Sequence, residues 1–154
     1  MAARSNSDAV QAIRPSRPED GTHVLAIWRR AVDATHDFLT AGDRAAIDAE
    51  VCAFLPEAPL LLAVDAADQP LAFLLLDGGH MEALFVDPAR HGGGIGRALV
   101  AHALALHPKL TVDVNEQNRQ AVGFYRHLGF AETGRSALDG QGRPYPLLHL
   151  RYRG

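Results

Sequence analysis

The sequence predicts a mixed α/β fold, a central sheet of about seven strands flanked by four helices. Three observations carry that expectation. Segments of strand and helix period follow one another in the order strand, two helices, three strands, helix, strand, helix, two strands. Short polar turn signals, Asp65–Gln69 and Asp77–Gly79, separate the three middle strands in the manner of hairpins. The glycine run Gly92–Gly94 stands between the last of these strands and a helix.

The first strand is read over Val10–Arg14, ended by Pro15 and Pro18. Val24, Ile27, Trp28, Ala31 and Val32 then form one helical stripe. A break over His36–Gly42 leads to a second helix, Asp43–Phe54, closed by Pro56 and Pro59. Leu60–Val64, Leu71–Leu76 and His80–Val86 are the middle strands. The third helix begins near Gly94, carries Ile95, Leu99, Ala103 and Leu106 on one face, and ends by Pro108. Thr111–Asn115 is a strand and Asn118–Leu128 a helix, with Gly129 placed as a C-terminal stop. Phe130–Gly134 and Leu147–Tyr152 close the sheet across the polar turn Asp139–Gly142.

The 154 residues fit one domain, read as 9–154 after a flexible N-terminus over 1–8. With 47% hydrophobic and 21% charged residues the chain is globular rather than disordered. A net charge of −3 offers no support for nucleic acid as a partner, which demands a clustered basic surface. Cys52 is the sole cysteine, so no internal disulfide forms, and no Cys/His group has metal-site spacing. It sits among Ile47, Val51, Phe54 and Leu55 and reads as a small buried hydrophobe. No apolar run approaches the roughly 18 residues of a membrane span. Met1–Asp8 has no apolar stretch of the secretory kind. A cytoplasmic location is the default expectation.

The segment from Leu84 through Val86-Asp87-Pro88 and His91-Gly92-Gly93-Gly94-Ile95-Gly96-Arg97 carries most of the functional information. A strand that passes through glycines into a helix start exposes unpaired backbone N–H groups at the positive end of the helix dipole. Phosphate is the natural ligand, because glycine lets its oxygens approach the main chain. A Walker loop is excluded, since Arg97 and Ala98 follow Gly96 where Lys and Ser/Thr are needed. A dinucleotide fingerprint fails in both registers, meeting Arg97 or Leu99 at its last glycine. The plain alternative is a flexible turn, although three glycines before a helix are entropically costly for that purpose.

A second motif follows one helix and one strand later: Asn118-x-x-Ala121-x-x-Phe124-Tyr125-x-x-x-Gly129-Phe130. Together with Val86-x-Pro88 and the glycine loop, it resembles the GNAT N-acetyltransferase superfamily over most of the chain. Asp33–Leu39 and Asn115–Asn118 are similar to the bacterial YjaB-type branch of that superfamily.

The resemblance implies a single-domain GNAT-like fold and acetyl-coenzyme A as the acetyl donor. It implies that the pantetheine arm lies along His80–Val86, with Leu84, Phe85 and Val86 nearest. The amides of His91, Gly92, Gly93, Gly94, Ile95, Gly96 and Arg97 would hold the diphosphate. Asn118 would contact the cofactor arm, and Tyr125 would stand near the sulfur. The family loop usually opens with Gln or Arg, whereas this sequence has His91 there and Arg90 one place earlier. From the residues alone, Asn118 is equally a helix N-cap; Tyr125 also reads as a core aromatic beside Val122 and Leu128, but the whole motif favours its functional role.

The expected reaction is direct attack of an amine on the thioester, with no acyl-enzyme. A phenol of pKa about 10 protonates a thiolate of about 8.5 uphill by roughly 2 kcal/mol. Tyr125 therefore serves the leaving thiolate by a hydrogen bond that grows with its charge, with proton transfer late, so that it stabilises or protonates the sulfur. Glu82 and His80 alternate onto one strand face with Leu84 and are candidate bases. His36 and Asp37, which lie where the family admits its amine acceptor, are candidate bases too, and water can also carry the proton. The sequence leaves a homodimer open. Two other classes stay on the table: a coenzyme A-binding sensor without turnover, and an interaction module without cofactor. Binding separates the last from the others, and turnover separates the first two.

Overall fold

The computed structural model describes residues 10–90 and 92–154. The expectations for Met1–Asp8 and for His91 lie outside the described residues. The elements are β1 (Ala12–Pro15), α1 (Gly21–Thr35), α2 (Ala41–Phe54), β2 (Leu61–Val64), β3 (Pro70–Asp77), β4 (His80–Val86), α3 (Ile95–Leu106), β5 (Thr111–Asn115), α4 (Arg119–Leu128), β6 (Phe130–Ser136) and β7 (Leu147–Tyr152). The seven strands run in the order β1-β2-β3-β4-β5-β7-β6. β4 pairs with β5 in parallel, and β1/β2, β2/β3, β5/β7 and β6/β7 pair antiparallel. The element order read from the sequence therefore holds from first strand to last.

The chain divides into two compact units, one running up to Leu75 and resuming at Ala83–Val100, the other formed by Leu76–Glu82 and Ala101–Gly154. In the first unit, the stripe Val24, Ile27, Trp28 and Val32 of α1 packs with Leu62 and Val64 of β2 and Phe73 of β3. Ala83 and Phe85, on alternate positions of β4, join the edge of that cluster. The α1, β2 and β3 side chains of the cluster leave water almost completely, and each large one contributes about 1.5–3 kcal/mol. Strand and helix periods thus converge on one apolar face.

The second unit is organised by register. β5 pairs with β7 through Thr111↔Arg151, Val112↔Leu150, Asp113↔His149, Val114↔Leu148 and Asn115↔Leu147. Val112, Val114, Leu148 and Leu150 are buried, so the intervening Asp113 and His149 meet on the opposite face. α4 ends at Gly129, whose φ is +107°. A Cβ there would come within 2.9 Å of the Gly154 carbonyl oxygen, so both conformation and space demand glycine.

Two local expectations change. Pro15 belongs to β1 rather than ending it, pairing with Leu61. β1 is the outermost strand, where a missing N–H costs no ladder bond on the open side. Cys52 is half-buried, not a core hydrophobe: its Sγ lies 2.9 Å from Arg29 Nη2 and 3.4 Å from Asp48 Oδ1. No residue of α2 is fully buried, so its apolar positions only brush the core and its polar side is tied down by Arg–Asp pairs.

Candidate functional site

In the first unit, β4 delivers the chain into a turn shaped by Asp87. The Asp87 amide donates to the Leu71 carbonyl at 2.9 Å, and its own carbonyl accepts from the Arg90 amide at 2.8 Å. The Asp87 carboxylate accepts from the Ala89 amide at 3.1 Å and from the Arg30 guanidinium at 2.7 Å. Burial raises the carboxyl's pKa, but the Arg30 and Ala89 hydrogen bonds outweigh it and hold the group below the usual carboxylate range. Asp87 is thus an anion that fixes a turn on its way to the glycines.

Gly92 and Gly94 take φ values of +84° and +75°. A Cβ at either would meet nothing within 4 Å, so the requirement for glycine is conformational rather than steric. Gly92, Gly93 and Gly94 are exposed. α3 opens directly after them, with Ile95 buried at 2% exposure as its anchor, Gly96 half-buried and Arg97 exposed. The first intrahelical bond runs from the Ala98 amide to the Gly94 carbonyl at 3.0 Å. The amides of Ile95, Gly96 and Arg97 precede it and have no intrahelical acceptor. The first amides at the positive end of a 12-residue helix are suited to a diphosphate.

Leu84, Phe85 and Val86 are half-buried on the strand that feeds this loop. Phe85 stacks on Phe73 with centroids 5.6 Å apart and lies 6.4 Å from the His36 ring. His36 follows the end of α1, half-buried, 5.2 Å from Phe38. Its Nδ1 is 2.7 Å from Thr35 Oγ1. Burial lowers the imidazole pKa, opposed by the charge of Asp37, which is itself exposed. His36, Phe38 and Phe85 therefore form an aromatic cluster around a neutral imidazole.

The other predicted residues lie in the second unit. Asn118 Oδ1 accepts from the Ala121 amide at 3.2 Å, capping α4. Tyr125 is buried at 6% exposure, edge-on to Phe130 at 5.4 Å and to Phe124 at 5.1 Å. Burial alone pushes its phenol well above the ordinary tyrosine value. Glu82 is exposed. His80 Nδ1 is 2.7 Å from Thr111 Oγ1, and its Nε2 lies 3.5 Å from Asp113 Oδ2.

A polar chain around His80 was not legible in the sequence. His149 Nδ1 stands 2.6 Å from Asp113 Oδ1, and its Nε2 stands 2.6 Å from Ser136 Oγ. Thr111, Asp113, His149 and Ser136 come from three strands, and only the β5/β7 and β6/β7 registers bring them together. The alternation of Thr111 and Asp113 against Val112 and Val114 was the one available signal. Among the described residues no cluster of His, Cys, Asp and Glu is arranged to hold a metal ion. No helix among them is long and apolar enough to cross a membrane.

A strand, a pinned turn, glycines in the left-handed region and a helix start together make a loop of the phosphate-binding kind. Comparison with known proteins makes that class specific. A family model described as "Acetyltransferase (GNAT) domain" matches residues 38–142. The chain is 58% identical over 145 residues to the peptidyl-lysine N-acetyltransferase YjaB of Escherichia coli K12, covering 94% of this chain and 99% of that protein. The solution structure of apo YjaB from Escherichia coli matches at a TM-score of 0.90, covering 93% of this chain and 97% of that one at 58% identity. The PaiA N-acetyltransferase of Thermoplasma acidophilum, solved with coenzyme A, shares the fold at a TM-score of 0.72 and 15% identity, covering 94% of this chain and 100% of that one.

The chain belongs to the GNAT family and is an N-acetyltransferase.

Proposed function

We propose that this enzyme takes its acetyl group from acetyl-coenzyme A and passes it directly to an amine, in the first instance a lysine side chain of a protein. The observation that carries the donor assignment is the turn fixed by Asp87, leading through Gly92 and Gly94 at positive φ into the start of α3. That segment supports a diphosphate held by the amides from Gly92 to Arg97, with Leu84, Phe85 and Val86 along the pantetheine arm. The lysine assignment rests on 58% identity to a relative named for that acceptor. The aromatic cluster at His36, beside Asp37, is the reading we favour for where the amine enters.

In this mechanism the amine nitrogen attacks the thioester carbonyl, the new C–N bond forms and the C–S bond breaks. Tyr125 is assigned to the leaving sulfur. Its raised pKa makes it a poorer acid than a free phenol, so it serves by donating a hydrogen bond while the thiolate charge develops. Asn118 is assigned to the cofactor arm through its amide group, since its Oδ1 already caps α4. We read the whole of 9–154 as one acetyltransferase domain acting in the cytoplasm.

The test is turnover. Incubation with acetyl-coenzyme A and a blocked lysine peptide, followed by mass spectrometry, is expected to give a singly acetylated peptide and free coenzyme A in equal amounts. Coenzyme A release without acetylated peptide, or acetyl retained on the protein itself, would contradict direct transfer.

A further inference from the structure

The Thr35 hydroxyl settles the tautomer of His36. Thr35 Oγ1 donates its one proton to the Ala31 carbonyl at 2.7 Å, so toward the ring it acts as an acceptor. The contact of 2.7 Å to His36 Nδ1 is therefore an Nδ1–H donating to Oγ1. In a neutral ring this leaves the lone pair on Nε2. By contrast, both ring nitrogens of His80 face partners, Thr111 at 2.7 Å and Asp113 at 3.5 Å.

We infer that His36 Nε2 is the group that takes the proton from the incoming ammonium. This rests on the reading that places the amine at the His36 cluster. The ring lies beside Phe38 and Phe85, centroids 5.2 and 6.4 Å away, and Phe85 belongs to the strand end assigned to the acetyl-bearing arm. An apolar surround penalises either cation, imidazolium or ammonium, so a proton shared by the two is driven outward. Asp37 is the charged group that offsets the imidazolium, and its exposure gives the proton a way to water. The balance is complete. The ammonium loses one proton to Nε2, which releases it to solvent, and the neutral amine attacks. The adduct nitrogen gives up a second proton as the C–S bond breaks, and the departing thiolate takes up one.

The test compares two acceptors on the intact protein with acetyl-coenzyme A. One is a blocked lysine peptide; the other is the same peptide carrying an aminooxy group, which is uncharged at neutral pH and has no such proton to lose. His36→Gln is expected to lower kcat/KM for the lysine peptide by about 100-fold or more, in the range of general-base losses. It is expected to cost the aminooxy peptide at least about 10-fold less than it costs the lysine peptide. Equal losses on both acceptors, or none on lysine, would overturn the inference.

Thr35→Val keeps the imidazole and removes the acceptor of Nδ1–H, together with the hydroxyl's own bond to the Ala31 carbonyl. It is expected to cost about 5-fold on the lysine peptide alone. Nitrogen-15 spectra of the wild-type protein should show His36 protonated at Nδ1 near neutral pH, and an Nε2–H signal would sink the assignment. The acetyl-coenzyme A melting shift should be the same in the wild type and both variants. A wild type with no such shift defeats the donor reading beneath this inference, whereas a normal shift with equal kinetic losses defeats this inference alone.

Discussion

Arg30 Nη2 lies 2.7 Å from Asp87 Oδ2, tying α1 to the turn that follows β4. The Arg30 side chain is 53% exposed, so this pair by itself contributes about 1 kcal/mol or less. The Asp87 bond to the Ala89 amide matters more, because it sets the path of the chain into the glycines. Asp87→Ala is expected to raise KM for acetyl-coenzyme A by about tenfold, the worth of one charge-assisted hydrogen bond, with kcat changed less. Steady-state kinetics at saturating acceptor check it. A drop in kcat alone would show that the turn does not serve the donor.

Gly94 holds φ at +75° with open space where a Cβ would project. Gly94→Ala therefore costs backbone strain and no clash, about 1–2 kcal/mol. For a chain of this size that is a melting decrease of roughly 2–8 °C. The same variant should lose most of the stabilisation given by acetyl-coenzyme A, since relief of the strain turns loop amides away from the phosphates. Calorimetry with and without the ligand separates the two effects.

Tyr125→Phe keeps the edge-on contacts to Phe124 and Phe130 and removes only the hydroxyl. Its kcat is expected to fall by about 100-fold while the Kd for acetyl-coenzyme A stays within about 3-fold. Retention of full kcat would return Tyr125 to the role of a core aromatic.

The pH dependence of stability carries a signature of His36. Its folded pKa lies below the unfolded value of 6.5, so the folded state binds fewer protons. The cost is absent well above 6.5 and grows as pH falls below it, when only the unfolded imidazole gains charge. Asp20, Asp48, Asp68, Asp87 and Glu116, all held low by arginine partners, lose their stabilisation at more acid pH. Urea midpoints between about pH 5 and 6.5 should therefore decline in the wild type and flatten in His36→Gln.

Period and punctuation made the fold legible. β4, β5 and β7 were placed to the residue because alternation and turn residues bound them on both sides. The glycine loop was legible for a similar reason, since consecutive glycines before an amphipathic helix leave few structural explanations. β6 was read two residues short, because Arg135 and Ser136 carry no apolar signal and are held by pairing with Leu148 and Leu147. The polarity of Cys52 escaped because its partner Arg29 lies on another helix. His36 was visible as a residue, but the tautomer that gives it chemical meaning depends on the Thr35 hydroxyl turning back to Ala31. Tertiary register, which no local pattern encodes, assembled the Asp113–His149–Ser136 chain.

Thermal unfolding in the presence of acetyl-coenzyme A, with ATP and NAD as controls, tests the central claim most directly. At about 100 times Kd, binding stabilises the fold by about 2.7 kcal/mol. For a chain of this length that is a melting increase of roughly 5–10 °C, expected with acetyl-coenzyme A and absent with ATP or NAD. No shift at millimolar acetyl-coenzyme A would mean that the loop from Gly92 to Arg97 does not hold this donor, and the mechanism built on it would fall.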